Sequence, residues 1–177
     1  IVHPSMGAWM TKLDGRFNPT LPGAVVVNGG SRHPLSGFLP TSHQPLAIGN
    51  PNEGLRNCRM LKGFSEEGFE KSLNLSQKLD RDFVKKYDLE RVRAYSSMYD
   101  DAVRLMKSTD LKAFDLSEEP ADLREAYGDD NFGQGLLLAR RLVERGVRCV
   151  QIYSGGNHND ANWDAHGDLK RNHELHA

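Results

Sequence analysis

The segment 154–177 concentrates the side chains of this chain that can bind a metal ion. It contains four of the seven histidines, together with three aspartates. Asp164 and His166 are two residues apart. That spacing separates side chains by about 200° on a helix, but it lets them converge from a looped backbone. A carboxylate and an imidazole together suit Zn²⁺, Mn²⁺ or Fe and suit Ca²⁺ poorly. The pair therefore predicts a divalent metal site, which Trp163 is placed to shield from water.

Further candidates surround this pair, and an alternative interpretation without a metal applies to all of them. A catalytic zinc needs about three protein ligands, so groups beyond Asp164 and His166 are required. In the alternative, Gly, Asn, His and Asp are ordinary loop residues, and Asp168 caps a last helix whose histidines form a solvated face. The secondary site candidates are His158, Asp160, Asn172 and His173.

A helix and a strand precede this segment and must position it. Apolar residues recur at helical spacing up to Gly146, which stands where a C-cap glycine is expected. Residues 147–153 then predict a central parallel strand. In open α/β sheets, ligands bind beyond the carboxyl ends of the strands, and the polar run starting at Ser154 follows that end. The predicted buried stripe of the helix is Phe132, Leu136, Ala139, Leu142 and Val143, and its predicted solvated face is Arg140, Arg141, Glu144 and Arg145.

The first thirty residues predict a helix and a second strand. Pro4 suits the start of the helix and Gly15 its end, and Ser5 is interpreted as a helix-start residue rather than a nucleophile. Ala24–Val27 is β-branched, lies between Pro-Gly and Gly-Gly, and predicts a buried strand of the same sheet. The predicted apolar face of the helix is Met6, Trp9, Met10 and Leu13.

A long loop and a pair of helices are predicted next. Residues 28–63 lack periodicity, and we expect them to fold over the carboxyl edge of the sheet, with Ser36–Pro40 as a wall of the pocket. His33 and His43 are interpreted as exposed loop histidines. Two helices follow, over 66–86 and 89–108, as an insertion at the rim of the sheet, because their polar faces are wide. The predicted buried stripe of the second is Val92, Tyr95, Tyr99, Val103 and Met106.

Composition excludes several classes of protein. The 177 residues carry 23 basic and 24 acidic side chains, for a net charge of −1. No positive excess is available to attract nucleic acid or an anionic membrane. No apolar run approaches the roughly 20 residues of a membrane span. Cys58 and Cys149 are far apart in the sequence, and a disulfide between them is not favoured.

Several motifs together resemble a known family. They are "HPSMGAWM", "LPGAVVV", "SGFLP", "FGQGLLLARRLVERGVRCVQIY" and "GGNHNDANWDAHGDLKRNH". The chain resembles the DUF1501 family over its whole length. Proteins of this family are sulfatase-like members of the alkaline phosphatase superfamily and are abundant in planctomycete-type bacteria. The resemblance implies an alkaline-phosphatase-like α/β/α sandwich with a helical insertion. It also implies that 1–177 is a single truncated domain, an internal fragment of a longer protein.

The resemblance also implies a site and an activity. Trp163, Asp164 and His166 match the W-D-x-H motif of the family, so Asp164 and His166 are implied metal ligands. The metal, which stays open among Zn²⁺, Mn²⁺, Ca²⁺ and Mg²⁺, would need further ligands from outside this sequence. The implied function is metal-dependent hydrolysis of sulfate or phosphate esters, on a small-molecule or polysaccharide substrate, in a periplasmic or secreted protein. The alternative is a non-catalytic envelope or binding protein that retains the fold.

Overall fold

Three parallel strands form the centre of the structure. They are β1 (Ala24–Val27), β2 (Leu46–Ile48) and β3 (Cys149–Ile152), in the spatial order β2-β1-β3. Val27 pairs with Ile48 on one side and with Ile152 on the other. The mixed α/β class and the parallel pairing of the two predicted strands are therefore confirmed. The computed structural model describes residues 1–29, 33–55, 58, 63, 65–87, 89–154 and 167–176.

Six helices and three short 3₁₀ segments accompany the sheet in the described part of the chain. The boundaries of the four longer predicted helices are confirmed to within a few residues. Gly15 and Gly146 have φ of 70° and 94°, the left-handed conformation expected of glycines that end helices. The helices are α1 (Met6–Asp14), α2 (Glu66–Lys86), α3 (Glu90–Met106), α4 (Ala121–Ala126), α5 (Asn131–Glu144) and α6 (Leu169–His176), and the 3₁₀ segments are Thr41–His43, Thr109–Phe114 and Leu116–Glu118.

Helices α1 and α5 cover opposite faces of the sheet, and each approaches it through a glycine. A Cβ atom on Gly7 of α1 would lie 2.8 Å from the Cβ of Ala24. A Cβ on Gly135 of α5 would lie 3.3 Å from Val27 Cγ1 and from Ile152 Cγ2. Because successive residues of a strand point to opposite faces, Ala24 and Val27 mark the two sides. The structure is thus layered as helix, sheet and helix.

The main core lies on the α5 face of the sheet. Val25, Val27 and Ile48 pack there against α5 and against side chains that follow α3. The last turn of α3 also contributes through Leu105, which is buried. The other buried members of this core are Leu21, Ala113, Phe114, Leu116, Leu137, Leu138, Leu142 and Val147.

Two predictions about the sheet are wrong for the described residues. The strand at 147–153 is not central, because β1 lies between β2 and β3. The segment 28–63 is not one long loop, since it contains β2 and the 3₁₀ segment Thr41–His43. β2 has three residues, too few for a periodic pattern, and its pairing with β1 supplies the hydrogen bonds that make it a strand.

The predicted buried faces of three helices are only partly correct, since Leu142 of α5 and Val103 of α3 are buried as predicted but most of the other predicted residues are not. On α1, Met6 is 66% exposed and Leu13 is 75% exposed, whereas the buried residues are small: Gly7, Ala8 and Thr11. On α5, Gly135 and Leu138 are buried, whereas the predicted Phe132, Leu136 and Val143 are exposed. On α3, Tyr95 and Tyr99 are exposed. Small residues face the sheet because a helix with small side chains can approach it closely.

Helices α2 and α3 extend from the connection between β2 and β3 with much of their surface in water. Leu73 of α2 is buried, whereas Leu75, Leu79 and Phe83 are more than half exposed. This exposure agrees with the wide polar faces predicted for the pair. None of the helices in the described part of the chain has the length and apolar composition needed to cross a bilayer.

Arg141 of α5 connects the helix to the segment that precedes α4, and its assignment to a solvated face is wrong. Its side chain is 4% exposed. The guanidinium donates to the carbonyl oxygens of Ala113 at 3.2 Å and Lys112 at 2.8 Å. It also forms ion pairs with Glu118, at 3.1 Å, and with Glu119. A buried cation is tolerated here because its donors have acceptors of matching geometry.

We expect Arg141→Ala to lower the free energy of unfolding by about 3 kcal/mol, because it leaves the carbonyls of Ala113 and Lys112 and two carboxylates without their donor. The measurement is denaturant unfolding. Arg140→Ala is the matched control, since neighbouring Arg140 forms an exposed i,i+4 pair with Glu144 and should change stability little. Equal losses for the two variants would contradict the role assigned to Arg141.

Candidate functional site

The carboxyl ends of the three strands meet at one edge of the sheet, and polar side chains follow two of them. Asn28, directly after β1, has φ of 59°, a left-handed conformation that Asn tolerates better than most residues. Its backbone N–H donates to the Ile48 carbonyl at 2.9 Å, and its side-chain amide donates to the Asn131 carbonyl at 3.1 Å. Tyr153, directly after β3, donates its N–H to the Val27 carbonyl at 3.0 Å. The three strand ends and the start of α5 are thereby joined.

His33 reaches this edge from the segment after β1. Its side chain is buried, with 6% of the residue exposed. The Nδ1 atom accepts the backbone N–H of Leu35 at 3.0 Å, so the hydrogen of the neutral imidazole lies on Nε2. Nε2 is 3.3 Å from the side-chain oxygen of Gln151 and donates to it. Because the amide of Leu35 belongs to the backbone, it can only donate, and it fixes the tautomer of His33.

Gln151 accepts a hydrogen bond from His33 and donates one to Tyr153. With its oxygen accepting from His33, the Gln151 side chain presents its Nε2 amide to the Tyr153 hydroxyl at 3.0 Å. Tyr153 follows Gln151 by two residues, and its N–H extends the pairing of β3 with β1, so the two side chains point to the same face of the sheet. The rings of His33 and Tyr153 also contact each other edge to face, with centroids 5.9 Å apart. These three side chains are called the polar chain below.

Gly29 gives the polar chain the space that it occupies. A Cβ atom at this position would lie 2.8 Å from Val26 Cγ2, 3.2 Å from His33 Cβ and 3.3 Å from Tyr153 Cε2. The first distance is shorter than a carbon–carbon contact permits, and Val26 is a buried strand residue with little freedom to move. Glycine is therefore the residue that lets the segment after β1 pass this close to β3.

The family model whose description is "Protein of unknown function (DUF1501)" matches residues 1–177. The chain belongs to the DUF1501 family. No curated protein and no solved structure matches it. Membership was predicted from the quoted motifs and is confirmed.

The predicted metal ligands of this DUF1501 chain, Asp164 and His166, lie outside the described residues, as do Trp163, His158 and Asp160. Of the remaining candidates, His173 is exposed on α6, and Asn172 lies on the same helix. Within the ranges that the structure describes, no group of three or more His, Cys, Asp or Glu side chains is arranged to hold a metal.

Two helix caps and two free cysteines are described next to the interpretations made from the sequence. Ser5 is confirmed as a helix-start residue, since its hydroxyl oxygen accepts the Ala8 N–H at 3.2 Å. Asp168 precedes α6 and accepts the Arg171 N–H at 3.4 Å, as a capping residue does. Cys58 and Cys149 are both free, and burial raises the pKa of each thiol.

The interpretation of His33 as an exposed loop residue is wrong. Its main partner, Gln151, is 118 positions away in the sequence, so no local sequence pattern predicts the contact. One signal was available: Gln151 is a polar residue in an otherwise apolar strand. His43 differs from His33, because it lies half-buried on the 3₁₀ segment Thr41–His43. Partial burial, with help from the positive charges of Lys12 and Arg16, lowers the pKa of His43.

We expect Gly29→Ala to lower the free energy of unfolding by about 1–3 kcal/mol, the usual cost of overpacking. The added methyl group would press on Val26 and separate His33 from Tyr153. Gly49→Ala is the matched control, because Gly49 follows β2 at the same edge and has no atom within 4 Å of the new Cβ. Denaturant unfolding of both variants is the measurement. A Gly29→Ala protein as stable as the control would show that the close approach at Gly29 is not required.

Proposed function

We propose that this DUF1501 protein is a metal-dependent hydrolase of sulfate or phosphate esters with an alkaline-phosphatase-like fold, and that Asp164 and His166 are ligands of its metal. The observation that carries the proposal is the direction of β3. β3 runs parallel to β1, and the chain leaves the sheet at the carboxyl edge through Tyr153 and Ser154, before the Asp-His segment. In open α/β sheets this edge is where ligands bind.

The donor set fits a divalent metal in its chemistry and is incomplete in number. A carboxylate and an imidazole are both ligands of Zn²⁺ and Mn²⁺. A catalytic site needs at least one more protein ligand. His33 is not available for that role as it is arranged, because Nδ1 and Nε2 both take part in hydrogen bonds. The missing ligand must therefore come from another residue.

The metal, when bound, would polarise the ester and stabilise charge that develops on its oxygens. The protein's own residues must then hold the edge at which the ester lies. Asn28 joins the end of β1 to α5 and to β2, and the polar chain joins the segment after β1 to β3. Groups that are held in place before the substrate arrives need no reorganisation during the reaction.

We expect Asp164→Asn and His166→Ala each to weaken metal binding at least roughly tenfold, because each removes a direct ligand and even supporting residues cost that much. The measurement is metal affinity and content of the full-length protein after equilibration with Zn²⁺ or Mn²⁺, together with hydrolysis of an aryl sulfate and an aryl phosphate. Asp168→Asn and His43→Ala are matched controls. Asp168 caps α6 and His43 lies on the 3₁₀ segment, and neither substitution should change metal affinity.

Three outcomes are distinguishable. Loss of metal and of hydrolysis in the two variants, but not in the controls, supports the hydrolase. Metal binding that depends on Asp164 and His166 without hydrolysis of either ester would favour the alternative, a binding protein that retains the fold. Metal affinity that is unchanged in both variants would contradict the proposed site.

A further inference from the structure

The hydrogen bonds of the polar chain all run in one donor-to-acceptor direction, which ends at the Tyr153 hydroxyl. The Leu35 N–H donates to His33, His33 Nε2–H donates to the Gln151 oxygen, and the Gln151 amide donates to the Tyr153 oxygen. Each step is forced by the one before, because a neutral imidazole has one donor and one acceptor and an amide side chain presents one end to each neighbour. The Tyr153 oxygen thus accepts, and its own hydrogen is left to donate to a further acceptor.

The start of the chain is fixed by groups that cannot change their role. The backbone amide of Leu35 is a donor in every protonation state, and His33 is buried at 6% exposure. If the donor-to-acceptor direction were reversed, the imidazole hydrogen would lie on Nδ1 and face the Leu35 N–H, so that two donors would meet. A tyrosine hydroxyl with a freely rotating partner can donate or accept. In this position Tyr153 is set as a donor.

Tyr153 is also placed to meet a ligand. The residue is half-buried, with one edge of its ring near Gly29 and the ring in an edge-to-face contact with His33. It stands directly after β3 at the carboxyl edge, where α/β sheets bind ligands. Within the described part of the chain, no acceptor for its hydroxyl hydrogen is found. A donor whose oxygen already accepts a hydrogen bond is polarised by it and donates more strongly.

We propose that the Tyr153 hydroxyl donates a hydrogen bond to a tetrahedral oxyanion bound at the carboxyl edge of the sheet, the class to which sulfate and phosphate groups belong. The inference rests on the proposed function for the choice of ligand. Because the Tyr153 hydroxyl donates, its ligand must offer an oxygen that accepts. A hydrogen bond to an anionic oxygen is about twice as strong as one between neutral groups. Tyr153 is then a substrate-binding residue, and His33 and Gln151 are positioning residues that act through it.

The first arm of the test measures the direction of the polar chain. Nitrogen-15 NMR of the imidazole of His33 should show the neutral tautomer with hydrogen on Nε2. A tautomer with hydrogen on Nδ1, or a doubly protonated ring, at neutral pH would reverse or break the chain and would overturn the proposal. This readout is independent of metal content and of any enzymatic activity.

The second arm measures oxyanion binding by calorimetry with inorganic phosphate and with inorganic sulfate as separate probes, on the metal-equilibrated full-length protein. Tyr153→Phe removes the donor and keeps the ring, and we expect roughly tenfold or greater weakening for the preferred anion. Tyr95→Phe is the matched control, because Tyr95 is 66% exposed on α3 and should have no effect. Denaturant unfolding of Tyr153→Phe checks that the variant is folded.

The result also separates this inference from the proposed function. Metal affinity should be unchanged in Tyr153→Phe and reduced in Asp164→Asn. If Tyr153→Phe binds both anions as tightly as the wild type does, or if the wild type binds neither, the role of Tyr153 is refuted even when the metal site is confirmed. If the wild type binds an anion through Tyr153 but binds no metal, the inference stands as an anion site and the proposed hydrolase fails.

Discussion

The parallel pairing of β1 with both of its neighbours is the constraint on which the rest of the structure depends. Since β2 and β3 both run in the direction of β1, the carboxyl ends of all three strands lie at one edge. Each strand must then be followed by a connection that returns to the opposite edge; α5 lies in the connection from β2 to β3, whereas the described part of the connection from β1 to β2 contains only the 3₁₀ segment Thr41–His43. The edge is therefore formed by segments that follow strands, and it collects Asn28, His33 and Tyr153 from distant parts of the sequence.

Close packing of helices on this sheet is achieved by small residues and leaves apolar side chains on the outside. Gly7 and Gly135 bring α1 and α5 against β1 and β3. The larger apolar residues of α1 then point away from the sheet, where Trp9 and Phe38 contact each other edge to face with centroids 6.1 Å apart. The same packing makes the interior intolerant of larger groups, because protein interiors are filled to crystal-like density.

Buried polar groups hold two connections of the fold in place. Arg141 fixes the segment before α4 to α5 through backbone carbonyls and carboxylates. The polar chain fixes the segment after β1 to β3. In both cases a polar side chain is held in the interior because it is hydrogen-bonded there, and loss of one partner would leave the others unsatisfied.

The sequence by itself determined the features whose causes are local. Helix boundaries followed from Ser5, Gly15 and Gly146, because caps act within one turn of the helix. The apolar runs that form β1 and β3 were visible because the strands are covered on both faces. The quoted motifs were sufficient for membership of the DUF1501 family.

Only the tertiary structure decided which helix faces are buried, the existence of β2 and the role of His33. Apolar residues lie on two sides of α1 and α5, so periodicity alone could not select the face that meets the sheet. The three residues of β2 become a strand through pairing with β1. The burial of His33 and of Arg141 depends on partners 118 and up to 29 positions away. Contacts between residues so distant in sequence are set by how the chain folds back on itself, and no local pattern of residue types encodes them.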